Sequence, residues 1–378
     1  MEKPKLLLVA DTYYPKVDGT MIFMNEFIKR TKNDFDLHLL VPDLGERKGE
    51  RVTYLNISKR FAVSGYPTIK LSLKNLNRIK KEIKAADIVF IQGPALASYL
   101  SIFFGKRYKK RTVFYTHTLA WELFEKFLPH LLSRISFNLI KRISVFFYNR
   151  CDEIFVPYHE LRDYLKKQGV KTKINVARLG VDIEKFSPAK DKKSYKKKLE
   201  IDPEKKVIGY VGRISKEKNI TLLLKAFGHL KERNDVYLLV VGDGPEDQIK
   251  EFKNTENCMI TGFVNNVEQY LKAMDVFVMP SLTETTSLAT LEAMSCGIPV
   301  IVTKVGFIKS YVIKNYNGIF FPRNDAKMLA MKISKLLDHE ETRTKLGKNA
   351  RKTVAYSFSW ERSINRIKRL LKNNVNHS

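Results

Sequence analysis

Short, strongly apolar runs alternate with longer amphipathic ones along the chain, and this alternation constrains the fold more than any other feature. Leu6-Leu7-Leu8-Val9-Ala10, Leu37 to Pro42, Ile88 to Gln92, Thr112 to Thr116 and Glu153 to Pro157 each read as a buried strand. Helical patterns lie between them, the first from about Met21 to Arg30 after a Gly/Pro loop. Strands alternating with helices imply parallel sheets with crossover helices, hence an α/β fold. The pattern then restarts. Lys206 to Gly212, Val236 to Gly242, Val276 to Pro280 and Pro299 to Thr303 read as strands; Ile220 to Lys231 and Ser287 to Ser295 read as helices. A chain of 378 residues accommodates two such domains, with a joint near Gly180-Val181-Asp182. The Lys-rich run Lys190 to Lys198 reads as a solvated short helix without a site. Phe358 to about Asn373 reads as a closing amphipathic helix.

Charge narrows the partners. The chain carries 68 Lys and Arg against 40 Asp and Glu, a formal net of +28. Such a field favours nucleic acid, an acidic membrane surface or phosphorylated substrates. Cys151, Cys258 and Cys296 show no zinc spacing and no disulfide framework, so a reducing cytosol is expected. The first apolar run is too short for an export signal, and Gln92-Gly93-Pro94 interrupts the uncharged stretch Ile88 to Gly105, which excludes a spanning helix there.

Four segments fall where parallel strands end, the place where such folds bind ligands. In Thr283 to Val300, Glu284 follows a strand and Ser287 to Ser295 forms a helix whose N-terminus suits a diphosphate. Glu292 is expected two turns later on the same side, and the two carboxylates can accept hydrogen bonds from paired hydroxyls of a sugar or ribose. The plainer reading is a strand, a loop and a capped helix; the Gly297-Ile298-Pro299 ending favours a site. In Gly209 to Asn219, Arg213 and Lys218 flank a turn where two cations can stabilise a diphosphate leaving group; taken alone, a solvated loop fits as well. Asp11 to Thr20 places Gly19 at a helix start, where backbone can approach a ligand; a simple loop also fits. His117 lies at another strand end, and a lone histidine there reads as structural unless the other segments join it.

Together these segments resemble the retaining nucleotide-sugar glycosyltransferases of family 4, over nearly the whole chain and in the same order. The most specific part is the Glu284-x7-Glu292 element joined to Gly297-Ile298-Pro299-Val300. The resemblance implies the GT-B fold: two Rossmann-like domains facing each other across a cleft, with a C-terminal helix crossing back. The expected divisions are residues 1–182 (acceptor binding), 183–357 (nucleotide-sugar binding) and 358–378 (returning helix). It also implies roles. Glu284 contacts the donor sugar and Glu292 the ribose; Arg213 and Lys218 hold the diphosphate; Gly19 and Thr20 approach it; Thr285, Thr286, Ser287 and Leu288 line the donor; His117 contacts the sugar near the reacting carbon. The implied chemistry is hexose transfer with retention, from a UDP- or GDP-linked donor, with no metal ion and no further cofactor.

Three departures from the family pattern stand out. Thr285-Thr286-Ser287 occupies the place where a glycine is common, the first loop has one glycine where many members have two, and the joint reads Arg178-Leu179-Gly180-Val181-Asp182 where Pro-Asn-Gly-Val-Asp is more usual.

The acceptor is read from charge and from resemblance. Residues 51–150 hold 19 basic and four acidic side chains, and the stretch from Lys126 to Arg150 has no acidic residue while interleaving aromatics with Lys126, Arg134, Lys141 and Arg142. Such a segment fits a helix lying in an anionic membrane surface. A core helix with a solvated basic face is the competing reading. The region after His117 is similar to diacylglycerol glucosyltransferases and phosphatidylinositol mannosyltransferases. A membrane-lipid acceptor and a peripheral position on the inner face of the cell membrane are therefore expected, with a soluble or polyprenyl-linked glycan as the alternative. A sugar-nucleotide epimerase shares the architecture but does not need the basic helix. A nucleic-acid-binding protein explains the charge but not the Glu284 to Pro299 element, and nucleic acid is not an expected partner.

Overall fold

A computed structural model describes residues 2–16, 19–63, 66–117, 119, 121 and 130–373, without the side chains of 59–63, 66 and 130–136. The chain forms two compact units: residues 1–179 with 361–378, and residues 180–360.

The first unit is built on a seven-stranded parallel sheet. Its strands are β1 (Lys5–Ala10), β2 (Asp36–Pro42), β3 (Val52–Leu55), β6 (Ile88–Gln92), β7 (Arg111–Tyr115), β8 (Glu153–Val156) and β9 (Lys173–Val176), in the order β3-β2-β1-β6-β7-β8-β9. An antiparallel hairpin, β4 (Ile57–Val63) and β5 (Tyr66–Ile69), lies outside this sheet. On one face Phe23 and Phe27 of the helix Gly19–Thr31 pack on Phe90 and Tyr115, with ring centroids 4.9 to 6.4 Å apart. Such burial of aromatic area dominates core energetics. Asp11, just past β1, caps the helix Leu96–Arg107: its carboxylate accepts from the amides of Ala95 (2.9 Å) and Ala97 (3.1 Å) and from the Ser98 hydroxyl. Burial pushes this carboxyl up, and the three donors act in the opposite direction. Asp11 therefore does structural work at a helix N-terminus.

The helix Trp360–Lys372 joins the first unit from Glu361 onward. Lys368 and Lys372 pair with Asp34 (3.1 and 2.8 Å), and Arg111 donates to the carbonyls of Leu370 and Leu371 at its C-terminal end. A cation is favourable there because the last carbonyls of a helix carry partial negative charge.

The second unit holds a six-stranded parallel sheet: β10 (Lys206–Val211), β11 (Val236–Val241), β12 (Cys258–Ile260), β13 (Val276–Met279), β14 (Val300–Thr303) and β15 (Gly318–Phe321), in the order β12-β11-β10-β13-β14-β15. Strand order reverses at β10, which places a crevice at the carboxyl ends of β10 and β13. At the joint, Gly180 is required by close approach: a Cβ there would come within 2.6 Å of the Trp360 backbone. Val181 and the Phe358–Trp360 segment pair through two backbone hydrogen bonds.

Two expectations are corrected. The Lys-rich helix, Lys192–Lys198, is not wholly solvated. Lys196 is buried and donates to Asp275 (2.8 Å) and to the Lys205 carbonyl (2.6 Å), and Lys192 reaches the same carboxylate at 2.9 Å. Burial alone would raise the Asp275 carboxyl, but the two lysines and the Val207 amide hold it below its ordinary value. A buried charge requires such partners, and composition alone does not show which lysine in a run has one. Second, besides the hairpin strands β4 and β5, the two parallel sheets contain four strands the apolar runs do not reveal, β3, β9, β12 and β15, and all four are sheet edges. An edge strand has a sheet neighbour on one side only, so its local sequence need not be continuously apolar.

Candidate functional site

The expected site residues fall into separate groups. In the second unit, the turn after β10 contains a short 3-10 segment, Lys216–Lys218, and Asn219 then takes a left-handed conformation. The Leu282 amide donates to the Glu217 carbonyl (2.9 Å), and this stitches the turn to the loop after β13. Lys218 thereby meets Glu284: Nζ to Oε1 is 2.6 Å, with the two side chains 22% and 6% exposed. Ser281, fully buried, donates to the same oxygen at 2.8 Å, and its own carbonyl accepts from Thr303 Oγ1. Arg213 is more peripheral. It is mostly exposed and pairs with Glu217 at 2.7 Å, while its carbonyl accepts from Tyr210 Oη.

The loop from Glu284 to Ser287 is not helical; the helix spans Leu288–Ser295. Ser287 sits at its start with φ 54° and ψ 78°, a left-handed conformation that glycine adopts more easily. Within Thr285-Thr286-Ser287, where the resemblance leads to the expectation of a glycine, the Ser287 hydroxyl bonds Thr290 Oγ1 at 2.8 Å. The amides of Thr286, Ser287 and Leu288 have no acceptor among the described residues, as expected of a helix N-terminus, and the Thr286 hydroxyl is buried without a partner. Gly306 packs directly on the Glu284 carbonyl; a Cβ there would occupy the position of that oxygen, and φ is +50°.

Glu292 does not share a helical face with Glu284, because the intervening loop breaks the helical period. Glu292 lies inside the helix, partly exposed, and no hydrogen bond to its carboxylate is formed among the described residues. Burial pushes its carboxyl up to about 7; Lys185 pulls it down and Glu268 raises it.

In the first unit, His117 lies just beyond β7, 9% exposed. Its Nε2 is 2.8 Å from Gln92 Oε1 at the end of β6, and its ring lies against Tyr115 (4.3 Å) and Phe23 (5.2 Å). Burial lowers its pKa to about 3, so the ring is neutral across the physiological range. Its Nδ1 and Gln92 Nε2 are buried and have no partner among the described residues. Gln92 was not singled out from the sequence; its position opposite Tyr115 in the β6–β7 register is what brings it to the histidine. Gly19 is exposed and opens the helix Gly19–Thr31, with Thr20 next to it.

Of the residues expected at a membrane, Lys126 lies outside the described residues, as does the side chain of Arg134. Lys141 and Arg142 lie on the helix His130–Tyr148. That helix exposes an apolar stripe at helical spacing: Leu139 (58%), Ile143 (43%) and Phe146 (51%). Arg150 stacks on Phe146, 3.3 Å from the ring centroid. The helix packs on Leu96–Arg107 through Tyr99, which meets Ser144 Oγ at 2.8 Å, and Phe103, one turn on, is also half exposed. No helix among the described residues is long and apolar enough to cross a membrane.

Comparison with known proteins adds the family. A profile described as Glycosyltransferase Family 4 matches residues 20–185, and one described as Glycosyl transferases group 1 matches residues 191–353. An uncharacterized glycosyltransferase of Methanocaldococcus jannaschii is 24% identical over the full length of both chains. An alpha-monoglucosyldiacylglycerol synthase of Streptococcus pneumoniae is 26% identical over 84% of this chain and 75% of its own. Among solved structures, Anabaena HepE in complex with UDP superposes with a TM-score of 0.79 over 98% of this chain and all of the other, at 17% identity, which shows the shared GT-B fold.

Proposed function

Since the chain belongs to the family 4 glycosyltransferases, we propose that it transfers a hexose, with retention and without a metal ion, from a UDP- or GDP-linked donor to a membrane lipid, a diacylglycerol-type acceptor fitting best. The observation that carries this reading is the Lys218–Glu284 pair at the switch point of the second sheet, together with the amides of Thr286, Ser287 and Leu288, which have no acceptor among the described residues. A nucleotide diphosphate supplies negative charge for Lys218, Arg213 and the helix N-terminus, and its departure develops further charge there. Transfer of Lys218 to the phosphate frees Glu284 to accept from sugar hydroxyls. Glu292 receives the ribose. In the first unit, His117 is a neutral hydrogen-bond partner for a sugar hydroxyl, while Gly19 and Thr20 present a helix start to an anion. No cofactor besides the donor takes part.

The lipid acceptor is supported by the stripe Leu139, Ile143, Phe146 with Arg142 and Arg150 beside it, while Lys141, also expected at the membrane, turns to Phe137 on the other side of the helix. Apolar side chains outward on a helix with cations beside them fit a peripheral position on an anionic inner leaflet, where each Lys or Arg contributes about 1 kcal/mol. The similarity to a glucosyldiacylglycerol synthase points the same way. The test supplies radiolabelled UDP-glucose or GDP-mannose to the full chain with vesicles of diacylglycerol and phosphatidylglycerol, with and without EDTA. Label in the lipid phase, α-configured by NMR and unchanged by EDTA, is the expected result. Label on a soluble or polyprenyl-linked glycan would redirect the acceptor; isomerised nucleotide sugar without transfer would overturn the reading.

A further inference from the structure

The loop between Glu284 and the helix Leu288–Ser295 is held from beneath by a side chain with no role so far. Tyr311, buried, donates its hydroxyl to the Thr286 carbonyl at 2.8 Å. Four residues earlier in the chain, the Phe307 amide donates to the Thr285 carbonyl at 2.9 Å. The two rings pack on each other (5.6 Å) and on Phe358 (5.5 Å from Tyr311, 6.2 Å from Phe307). A trans peptide is planar, with its carbonyl and N–H pointing in opposite directions. Fixing the Thr285 carbonyl inward therefore turns the Thr286 N–H outward, and fixing the Thr286 carbonyl does the same for Ser287. These are two of the amides without an acceptor among the described residues, and Ser287 holds the left-handed conformation that completes the turn.

We propose that Tyr311 is a positioning residue: its hydroxyl orients the Thr286–Ser287 peptide so that successive amides converge on the anionic part of the donor. The inference rests on the reading of this loop as the donor site. Oriented backbone amides at a helix start form an anion-binding concavity only while their directions are fixed. Burial raises the phenol well above its ordinary value, so it remains a donor at every working pH. Phe307 supplies the matching restraint through backbone, which no side-chain substitution removes.

Inorganic pyrophosphate is a suitable probe, since it reports on the diphosphate cradle whatever the base or sugar. The full chain is titrated calorimetrically at 150 mM salt, with Lys218→Ala as the reference for loss of site binding. Tyr311→Phe keeps the ring packing and removes only the hydroxyl; Tyr311→Met fills the space a second way. Thermal melts establish that each variant is folded at the assay temperature. Both should bind pyrophosphate about tenfold more weakly than the parent, and Tyr311→Phe should raise the donor KM with UMP affinity unchanged. Equal pyrophosphate affinity in parent and Tyr311→Phe would overturn the role of Tyr311 while leaving the donor reading intact. No binding by the parent would overturn the donor reading of the loop, and the proposal with it.

Discussion

Replacing Lys218 by alanine isolates what the Lys218–Glu284 pair contributes before any donor arrives. The carboxylate of Glu284 is nearly buried and keeps one hydroxyl donor, Ser281, after the ammonium is gone. Removing one member of a fully buried ion pair costs about 3–5 kcal/mol. Lys218 is 22% exposed, so water partly replaces it, and the expected cost is about 2–3 kcal/mol. For a unit of this size that is a fall of about 4–12 °C in melting temperature. Glu284→Gln removes the charge that needs a partner. The double variant Lys218→Ala/Glu284→Gln should therefore be more stable than the sum of the single losses by at least about 1 kcal/mol. The assay is a double-mutant cycle by urea titration, alongside transfer activity. Both single variants should lose transfer even where folded. Additivity within about 0.5 kcal/mol would show that the pair is not coupled, and full activity in Lys218→Ala would remove it from the diphosphate site.

Three further outcomes follow from the same geometry. The Glu292 carboxyl is raised from 4.5 to about 7 in the folded chain, so its charged form is disfavoured and stability from this group is lost as pH rises from about 4.5 through 7; Glu292→Gln should gain up to about 3 kcal/mol over the parent above pH 7, gain nothing below pH 4.5, and bind nucleotide more weakly, as thermal melts across pH and calorimetry would show. His117 is neutral above about pH 3, so the pH–rate profile should carry no inflection from it, whereas Gln92→Glu should introduce one between about pH 5 and 8; an inflection lost from the parent in His117→Asn would contradict the neutral ring. Leu139→Glu/Phe146→Glu should abolish sedimentation with phosphatidylglycerol vesicles while leaving the melting temperature within about 2 °C, because both side chains are more than half exposed; undiminished binding would exclude this stripe from the membrane face.

The expected strands at the centres of both sheets and the expected helices recur in the structure. The expected positions of Glu284, Lys218, Arg213 and His117 at or just beyond parallel strand ends recur with them. These features are local: a continuous apolar run is a strand buried on both faces, and its end is where a parallel sheet exposes backbone. What the chain did not disclose locally depends on partners far along it. The four edge strands lack a continuous apolar signature because each has a neighbour on one side only. Lys196 is buried through Asp275, 79 residues away, while its neighbours in the same lysine run remain largely exposed. Glu284 and Glu292 are spaced like residues on one side of a helix, yet Ser287 takes a left-handed turn between them, next to Thr286, whose carbonyl accepts from Tyr311, 25 residues further on. Lys218 meets Glu284 only because β10 and β13 are adjacent in the sheet. Periodicity is written in consecutive residues and can be read there; which side chains meet is decided by strand order and close packing, and only the folded chain supplies both.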